Sequence, residues 1–255
     1  MIRIIRFIVI DILRNRMVLA YAVLLAILSW TVFGTEDSAG KAAITILNVV
    51  LLVVPLVSLL FATIYVYNSA EFIELLISQP VRRGHIWISL FIGLSLCLML
   101  AFLFATGIPL LLLADAATAW VLILTGCVIS VIFVALAMLA AITSRDKAKG
   151  IGVSMLIWLY LALLFDGLVL FLLFQFGDYP IEKPIVLLSA FNPLDLARIL
   201  NIMQMDASAM MGYTGAIFRN AFGDGPGLVL AFAVLMLWAA LPFLWSLYIF
   251  KRRDL

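Results

Sequence analysis

Six long apolar stretches, separated by short polar segments, dominate the pattern of hydrophobic and polar positions along the chain. A helix rises about 1.5 Å per residue, so about 20 apolar residues cross a hydrocarbon layer about 30 Å thick. Each of the six stretches is close to this length. The pattern therefore predicts six transmembrane helices, at about residues 18–34, 44–66, 86–108, 119–142, 151–175 and 227–249.

The apolar stretches are continuous rather than alternating, which is typical of membrane helices and not of outer-membrane β-barrel strands. The composition agrees, because only 12% of the residues are charged and the mean hydropathy is +1.26. We therefore predict an all-α membrane protein in which residues 1–255 form a single transmembrane domain. Because little chain remains for a soluble catalytic domain, we expect a non-catalytic membrane subunit that has no cofactor of its own and no nucleic-acid partner.

Basic residues are unevenly distributed between the two sides of the predicted bundle. Twelve of the 16 lysines and arginines lie before the first span, after the second, after the fourth or at the C-terminus, which are all on one side. The opposite side holds Lys41, Lys183, Arg198 and Arg219, although it contains the longest loop. The positive-inside bias therefore predicts that both termini are cytoplasmic.

The first 16 residues combine apolar and basic positions. Wound as a helix, residues 1–16 place one largely apolar side opposite a basic side, so we predict an interfacial helix that contacts anionic lipid headgroups. The alternative is a basic extension that only begins the first span. The apolar side consists of Ile5, Ile8, Val9, Ile12 and Leu13, and the basic side consists of Arg3, Arg6 and Arg14.

A second short amphipathic helix is predicted between the second and third spans, at about residues 69–80. Apolar residues recur there at helical spacing beside two glutamates, and Pro80 ends the helix because the residue before a proline is disfavoured in the α region. A helix joined directly to two spans can insert an apolar stripe into a groove of another protein and transmit a push into the membrane. The alternative is a simple polar turn.

The sequence Glu-Leu-Leu-Ile-Ser-Gln-Pro-Val-Arg-Arg, at residues 74–83, resembles the first cytoplasmic loop of ABC-2 (type-2 ABC transporter) permeases. The six-span layout, the basic N-terminus and the long loop before the last span are similar as well. The resemblance implies an ABC-2 (type V exporter-like) permease fold in the bacterial inner membrane, a homodimer with a second copy of the chain, and a coupling helix that contacts a separate ABC ATPase subunit. The implied ATPase contacts are Glu71, Phe72, Glu74, Leu75, Leu76, Gln79, Arg82 and Arg83.

The chain itself lacks a P-loop. The closest match is GTEDSAGKA at residues 34–42, which fails because five residues separate Gly34 from Gly40 and because Ala42 stands where a hydroxyl is needed. ATP and Mg²⁺ are therefore expected on the partner ATPase.

Asp166 is the one acidic residue well inside a predicted span. An ionised carboxylate there costs at least about 2.5 kcal/mol on insertion scales, so this position points to function. It is a candidate for lining a translocation path, binding a cation or taking up a proton. The alternatives are a protonated side chain, a place in a water-filled recess near the outer surface, or a pair with a residue of a second copy.

The long segment at about residues 176–226 is expected to fold back onto the outer face of the membrane. Asn192 is placed to cap a helix that begins at Pro193. Phe-Asn-Pro-Leu-Asp, ending at Asp195 and followed by Arg198, resembles the external segment of the permeases that serve nitrous oxide reductase maturation. That resemblance implies a periplasmic partner, with Asn192, Pro193, Asp195 and Arg198 as its candidate platform.

Four methionines of this segment are candidates for contact with a soft ion such as Cu(I), because thioether sulfur favours soft ions. They are Met203, Met205, Met210 and Met211. Methionine is also an ordinary packing residue at interfaces, which is the alternative. The two cysteines lie within predicted spans, and we expect them to pack there rather than to form a metal site.

Two active functions are consistent with these observations, and a purely structural assembly subunit is a further alternative. The first is a permease whose coupling helix converts the closure of partner ATPases into rearrangement of a dimeric bundle, which either moves a cargo or relays force to an outer partner. The second is a self-sufficient ion- or proton-coupled secondary transporter that uses Asp166 as its coupling group. Internal repeats would favour the second function, and no convincing repeat is present.

Overall fold

The computed structural model describes residues 2–78, 82–144, 146–175, 188–204 and 226–252, and the regular structure in these ranges is helical. We number its helices in chain order: α1, Ile2–Leu13; α2, Arg16–Thr35; α3, Ala39–Asn68; α4, Ala70–Ile77; α5, Arg83–Leu113; α6, Ala116–Thr143; α7, residues 147–175; α8, Pro193–Gln204; and α9, Pro226–Arg252.

Six of these helices, α2, α3, α5, α6, α7 and α9, are long and apolar enough to cross a membrane. This finding confirms the predicted helical membrane protein with six spans. The spans begin or end a few residues beyond several predicted limits. For example, α3 has 30 residues and is about 45 Å long, which exceeds a hydrocarbon layer of about 30 Å. Its ends therefore reach beyond the hydrocarbon or the helix is tilted.

The central helix of the bundle is α6. In the most apolar stretch of α6, 72% of the residues are buried within the chain. The corresponding share is 11% for α7 and 22% for both α2 and α9. Gly126 of α6 permits close packing, because a Cβ there would lie 2.6 Å from Cε1 of Phe102 on α5. The outer helices keep broad apolar faces on the outside of the bundle, which is the arrangement expected of helices that face lipid.

Two of the spans contain a π-helical turn, α5 at Leu103–Gly107 and α7 at Tyr160–Leu164. In α5 the wider turn precedes Pro109, which lacks an N–H and whose ring would crowd the preceding turn of a regular helix. In α7 the N–H of Phe165 bonds to the carbonyl of Tyr160. The carbonyl of Leu161 therefore loses its usual α-helical partner.

The N-terminal helix α1 packs along α5. Ile8 and Ile12 are buried, and a Cβ at Gly93 of α5 would lie 2.6 Å from Cγ2 of Ile8. These isoleucines belong to the predicted apolar side of the interfacial helix, and they pack against the chain itself, where Gly93 leaves room for Ile8. Arg6 and Arg14 are exposed, and their contact with lipid headgroups stays a prediction.

Helices α4 and α8 lie at opposite ends of the bundle. The end that carries α4, which we call the α4 end, also holds the last turn of α6 and the first turn of α7, since Tyr67 bonds to the carbonyl of Ser144. At the other end α8 packs on α3, α6 and α9. Its buried apolar residues are Leu194, Leu196, Ala197, Ile199 and Leu200.

Candidate functional site

Helix α4 stands directly on the end of α3. Ser69 separates the two helices, its N–H bonds to the carbonyl of Tyr65, and its own carbonyl accepts the N–H of Ile73. Ile73 is 6% exposed and holds α4 against the bundle, whereas Leu75 is 65% exposed. Glu71 in the first turn is exposed and complements the positive end of the helix dipole. The helix is thus fixed on one side and offers an acidic, partly apolar surface on the other.

The predicted ATPase contacts fall into three groups in the structure. Glu71, Glu74, Leu75 and Arg82 are exposed, Phe72, Leu76 and Arg83 are half-buried, and Gln79 lies outside the described residues. Ile73, the residue that anchors the helix, is not among the residues predicted from the sequence. Helical spacing alone gave its neighbours equal weight, because the side that faces the bundle is set by tertiary contacts.

The N-terminal helix α1 contacts both α4 and the end of α3 from which α4 continues. The rings of Phe7 and Phe72 stack with centroids 5.2 Å apart and an interplanar angle of 27°. Asp11 Oδ2 accepts a hydrogen bond of 2.9 Å from the hydroxyl of Tyr65, near the end of α3. A displacement of α4 therefore reaches α1 as well as α3.

A second polar cluster lies at the other end of the bundle, where α7 meets α8. Asp166 Oδ2 and Arg198 Nη1 form a salt bridge of 2.9 Å, and the same nitrogen lies 3.4 Å from Asp195 Oδ1. Asp166 follows Lys147 by 19 residues, so it lies about 28 Å along the helix, near the far edge of a hydrocarbon layer of about 30 Å. The partner of Asp166 is thus an arginine of its own chain, which the sequence interpretation did not predict.

The two carboxylates lie beside one guanidinium, and the pKa of Asp195 is raised. Burial is the main cause, the hydrogen bond and the negative charge of Asp166 act in the same direction, and Arg198 acts against them, which leaves the pKa at about 7. Asp195 therefore changes its charge near neutral pH, next to an ion pair that joins α7 to α8.

Asn192 connects the same two helices through its amide. Its Oδ1 accepts the N–H of Leu194 at 3.0 Å, and Pro193 occupies the first helical position, which confirms the predicted cap of α8. Its Nδ2 donates to the carbonyl of Leu161 at 2.9 Å, the carbonyl that the π-helical turn leaves without its helical partner. Asn192 is fully buried, so it joins α8 to α7 inside the protein.

The predicted outer platform is largely buried. Asn192, Pro193 and Asp195 face the interior, and only Arg198 is half-exposed. These side chains serve intramolecular contacts, and docking of an outer partner on this segment stays a prediction.

Copper contact likewise stays a prediction. Met205, Met210 and Met211 lie outside the described residues, and Met203 belongs to the last turn of α8. Among the described residues there is no group of three or more histidine, cysteine or acidic side chains that could hold a metal ion.

A six-span helical bundle with a short helix between its second and third spans defines the class of this chain as a multi-pass membrane protein. Comparison with known proteins agrees, because residues 70–255 match the sequence profile of the ABC-2 family transporter proteins. The chain is also similar to the probable ABC transporter permease protein NosY of Pseudomonas aeruginosa, with 28% identity over 271 residues, 96% of this chain and 95% of that protein. The corresponding protein of Stutzerimonas stutzeri is 27% identical over 266 residues, with 95% of each chain covered.

The chain therefore belongs to the ABC-2 transporter family as a membrane subunit of an ABC transporter, and it is similar to the NosY permeases. This assignment confirms the resemblance stated from residues 74–83. It also makes the chain a multi-pass bacterial membrane protein.

Proposed function

We propose that this chain is the permease subunit that couples ATP hydrolysis on a separate ABC ATPase to rearrangement of a homodimeric membrane bundle. One observation carries the proposal: the exposed acidic helix α4 is held to the bundle by Ile73 and continues directly from a membrane span. A force applied to its free surface enters α3 without crossing a flexible linker. ATP and Mg²⁺ belong to the partner subunit, and α4 lies on the cytoplasmic side with both termini.

On the outer side, we propose that α8 and the rest of the segment at residues 176–226 pass this rearrangement to a periplasmic partner or to a cargo. The names of the two similar permeases and the resemblance of residues 191–195 support a role in the maturation of the copper sites of nitrous oxide reductase. Cells that lack the chain should then produce nitrous oxide reductase without active copper sites. Normal enzyme from such cells would overturn this part of the proposal.

Binding between the purified permease and its ATPase, both in lipid nanodiscs, tests the coupling role. The double variant Glu74→Ala, Leu75→Ala removes one charge and one exposed apolar side chain from α4, and we expect the dissociation constant to rise about tenfold or more. The matched control is Asp37→Ala, Leu112→Ala, because both residues are exposed and lie at the opposite end of the bundle. Equal affinities of the two double variants would contradict the proposal.

The same preparation separates this function from secondary transport. In the permease, stimulation of ATP hydrolysis requires the partner and persists without an ion gradient. Gradient-driven transport by the chain alone, abolished by Asp166→Asn, would instead support a carrier. The ion pair with Arg198 speaks against that outcome, because the charge of Asp166 is already compensated within the chain.

A further inference from the structure

The last turns of α3 and the first turns of α7 are joined by polar contacts at the α4 end. Deepest in the bundle, the hydroxyls of Thr63 and Ser154 lie 2.7 Å apart and are fully buried. At the surface, Nζ of Lys147 donates to Oδ1 of Asn68 at 2.8 Å. Between these two contacts, Tyr67 lies against the start of α7. The end of α3, from which α4 continues, is thus connected to the first two helical turns of α7.

The position of Tyr67 depends on a glycine. A Cβ at Gly150 would overlap the Tyr67 hydroxyl and would lie 2.6 Å from Cε2 and Cζ of its ring. The neighbouring Gly152 is different, because a Cβ there would meet nothing within 4 Å. Only the first of the two glycines is therefore required for the contact between α3 and α7.

The hydroxyl of Tyr67 also reaches the end of α6. It lies 3.0 Å from the carbonyl oxygen of Ser144 and 3.2 Å from that of Ala141, and its single proton serves this pair of acceptors. Carbonyls at the end of a helix lack intrahelical partners, so an external donor there satisfies a group that the helix cannot satisfy itself. One side chain thus contacts the end of α6 and the start of α7.

Tyr67 is also close to the predicted ATPase-binding helix. It precedes the first residue of α4 by three positions, and it lines a cavity of about 160 Å³ together with Ile73, Glu74, Ile142 and Ser144. The walls of this small cavity come from α4, from the end of α6 and the connection that follows it, and from α3, α5 and α9. A displacement of α4 can therefore either move that connection or break the contact at Tyr67.

We propose that Tyr67 is a positioning residue that makes α4 and the connection between α6 and α7 move as one body. This inference rests on the proposed coupling function, in which α4 receives the push of the ATPase. It adds a second route into the bundle: beside the direct path through α3, motion passes through Tyr67 to the beginning of α7. Asp166 lies farther along α7, so this route leads toward the cluster that Asp166 forms with Asp195 and Arg198.

Distances between two spin labels test the proposal in the purified permease in nanodiscs. One label replaces the exposed Ser78 at the end of α4 and the other replaces Gly152 on α7, in a chain whose two native cysteines are changed to alanine. With Tyr67 intact we expect one narrow distance distribution, which keeps its position when the ATPase and ATP are added. Tyr67→Phe keeps the ring but removes the hydroxyl, so we expect the distribution to widen and to shift with nucleotide.

Two further variants provide a check and a control. Gly150→Ala displaces the ring and should widen the distribution in the same way, whereas Tyr160→Phe removes an exposed hydroxyl elsewhere on α7 and should leave it unchanged. In the full complex we expect Tyr67→Phe to lower the coupling efficiency about fivefold, where coupling efficiency is the amount of cargo moved, or of periplasmic partner acted on, for each ATP hydrolysed. A fivefold change corresponds to the loss of one hydrogen bond of about 1 kcal/mol.

The outcomes distinguish a failure of the proposed role of Tyr67 from a failure of the proposed coupling function. A narrow, unshifted distribution in Tyr67→Phe would overturn the role of Tyr67, whether or not an ATPase binds. If no ABC ATPase binds the wild-type chain, the proposed function fails, and the distribution measured in the isolated permease still decides whether Tyr67 holds the two segments together.

Discussion

Removal of the Asn192 side chain should release α8 from the bundle. Asn192→Ala eliminates the cap of α8, which costs about 0.5–2 kcal/mol, and leaves the carbonyl of Leu161 without its donor, which costs about 1–3 kcal/mol. The two losses together come to about 1.5–5 kcal/mol. Because the apolar side of α8 remains, we expect more frequent local opening of this helix rather than unfolding of the six spans.

Hydrogen exchange in nanodiscs measures this opening directly. A loss of about 1.5–5 kcal/mol corresponds to amide exchange in α8 that is about 10 to 5,000 times faster, while exchange in α6 stays unchanged. Asn192→Ser distinguishes the loss of the cap from the loss of the hydrogen bond to Leu161, since serine can still cap the helix but does not reach Leu161. We therefore expect its exchange rates to fall between those of the wild type and of Asn192→Ala.

A control and a refuting result complete this prediction. Phe191→Ala alters an exposed neighbour of Asn192 and should leave exchange in α8 within about threefold of the wild type. If Asn192→Ala stays within the same limit, the two hydrogen bonds do not hold α8. Apolar packing on α3, α6 and α9 would then account for its position by itself.

Three further predictions concern the pH response, the core and α4. Because the pKa of Asp195 is raised by burial, the folded chain keeps a proton that the unfolded chain releases, so the melting temperature should fall as the pH rises from about 4 to about 7, and Asp195→Asn should flatten this slope. Gly126→Ala forces a methyl group into the ring of Phe102 and should lower stability by about 1–3 kcal/mol, which denaturation in mild detergent will detect; an unchanged midpoint would mean that the ring moves freely. Ile73→Ala should destabilise the docking of α4 by about 2 kcal/mol or more, whereas Leu75→Ala should change it by less than about 0.5 kcal/mol; faster hydrogen exchange in α4 in only the first variant checks this difference.

Local signals in the sequence predicted the spans and the cap of α8. The length of an apolar run reports directly on the thickness of the hydrocarbon layer, and Asn192 followed by Pro193 is a helix start that needs no distant partner. The charge imbalance is a local signal of the same kind, and the orientation that it indicates stays a prediction. Such features depend on the solvent and on neighbouring residues, so one sequence was enough to interpret them.

Contacts between distant segments could not be predicted in this way. Asp166 and Arg198 are 32 positions apart, and they meet only because α8 folds back on α7 beside a π-helical turn that no proline marks. The buried side of α4 is a similar case. Ile73 and Phe72 are equally apolar in the sequence, and the choice between them depends on where α3 ends and on the ring of Phe7.

The polar contacts of α7 matter because this span is the least buried of the six. Lipid tails are as apolar as leucine, so the hydrophobic effect does not press such a helix against the bundle, and interhelical hydrogen bonds of about 0.6–2 kcal/mol each gain relative weight. Span α7 is held through Ser154 by Thr63 in its first third and through Leu161 by Asn192 at its middle. If α7 moves as one body, releasing one contact must weaken the other. Thr63→Ala and Asn192→Ala should therefore be non-additive in a double-mutant cycle of permease stability, although the two contacts share no residue and lie about 10 Å apart along α7. Strict additivity would mean that the π-helical turn lets the two halves of α7 move independently.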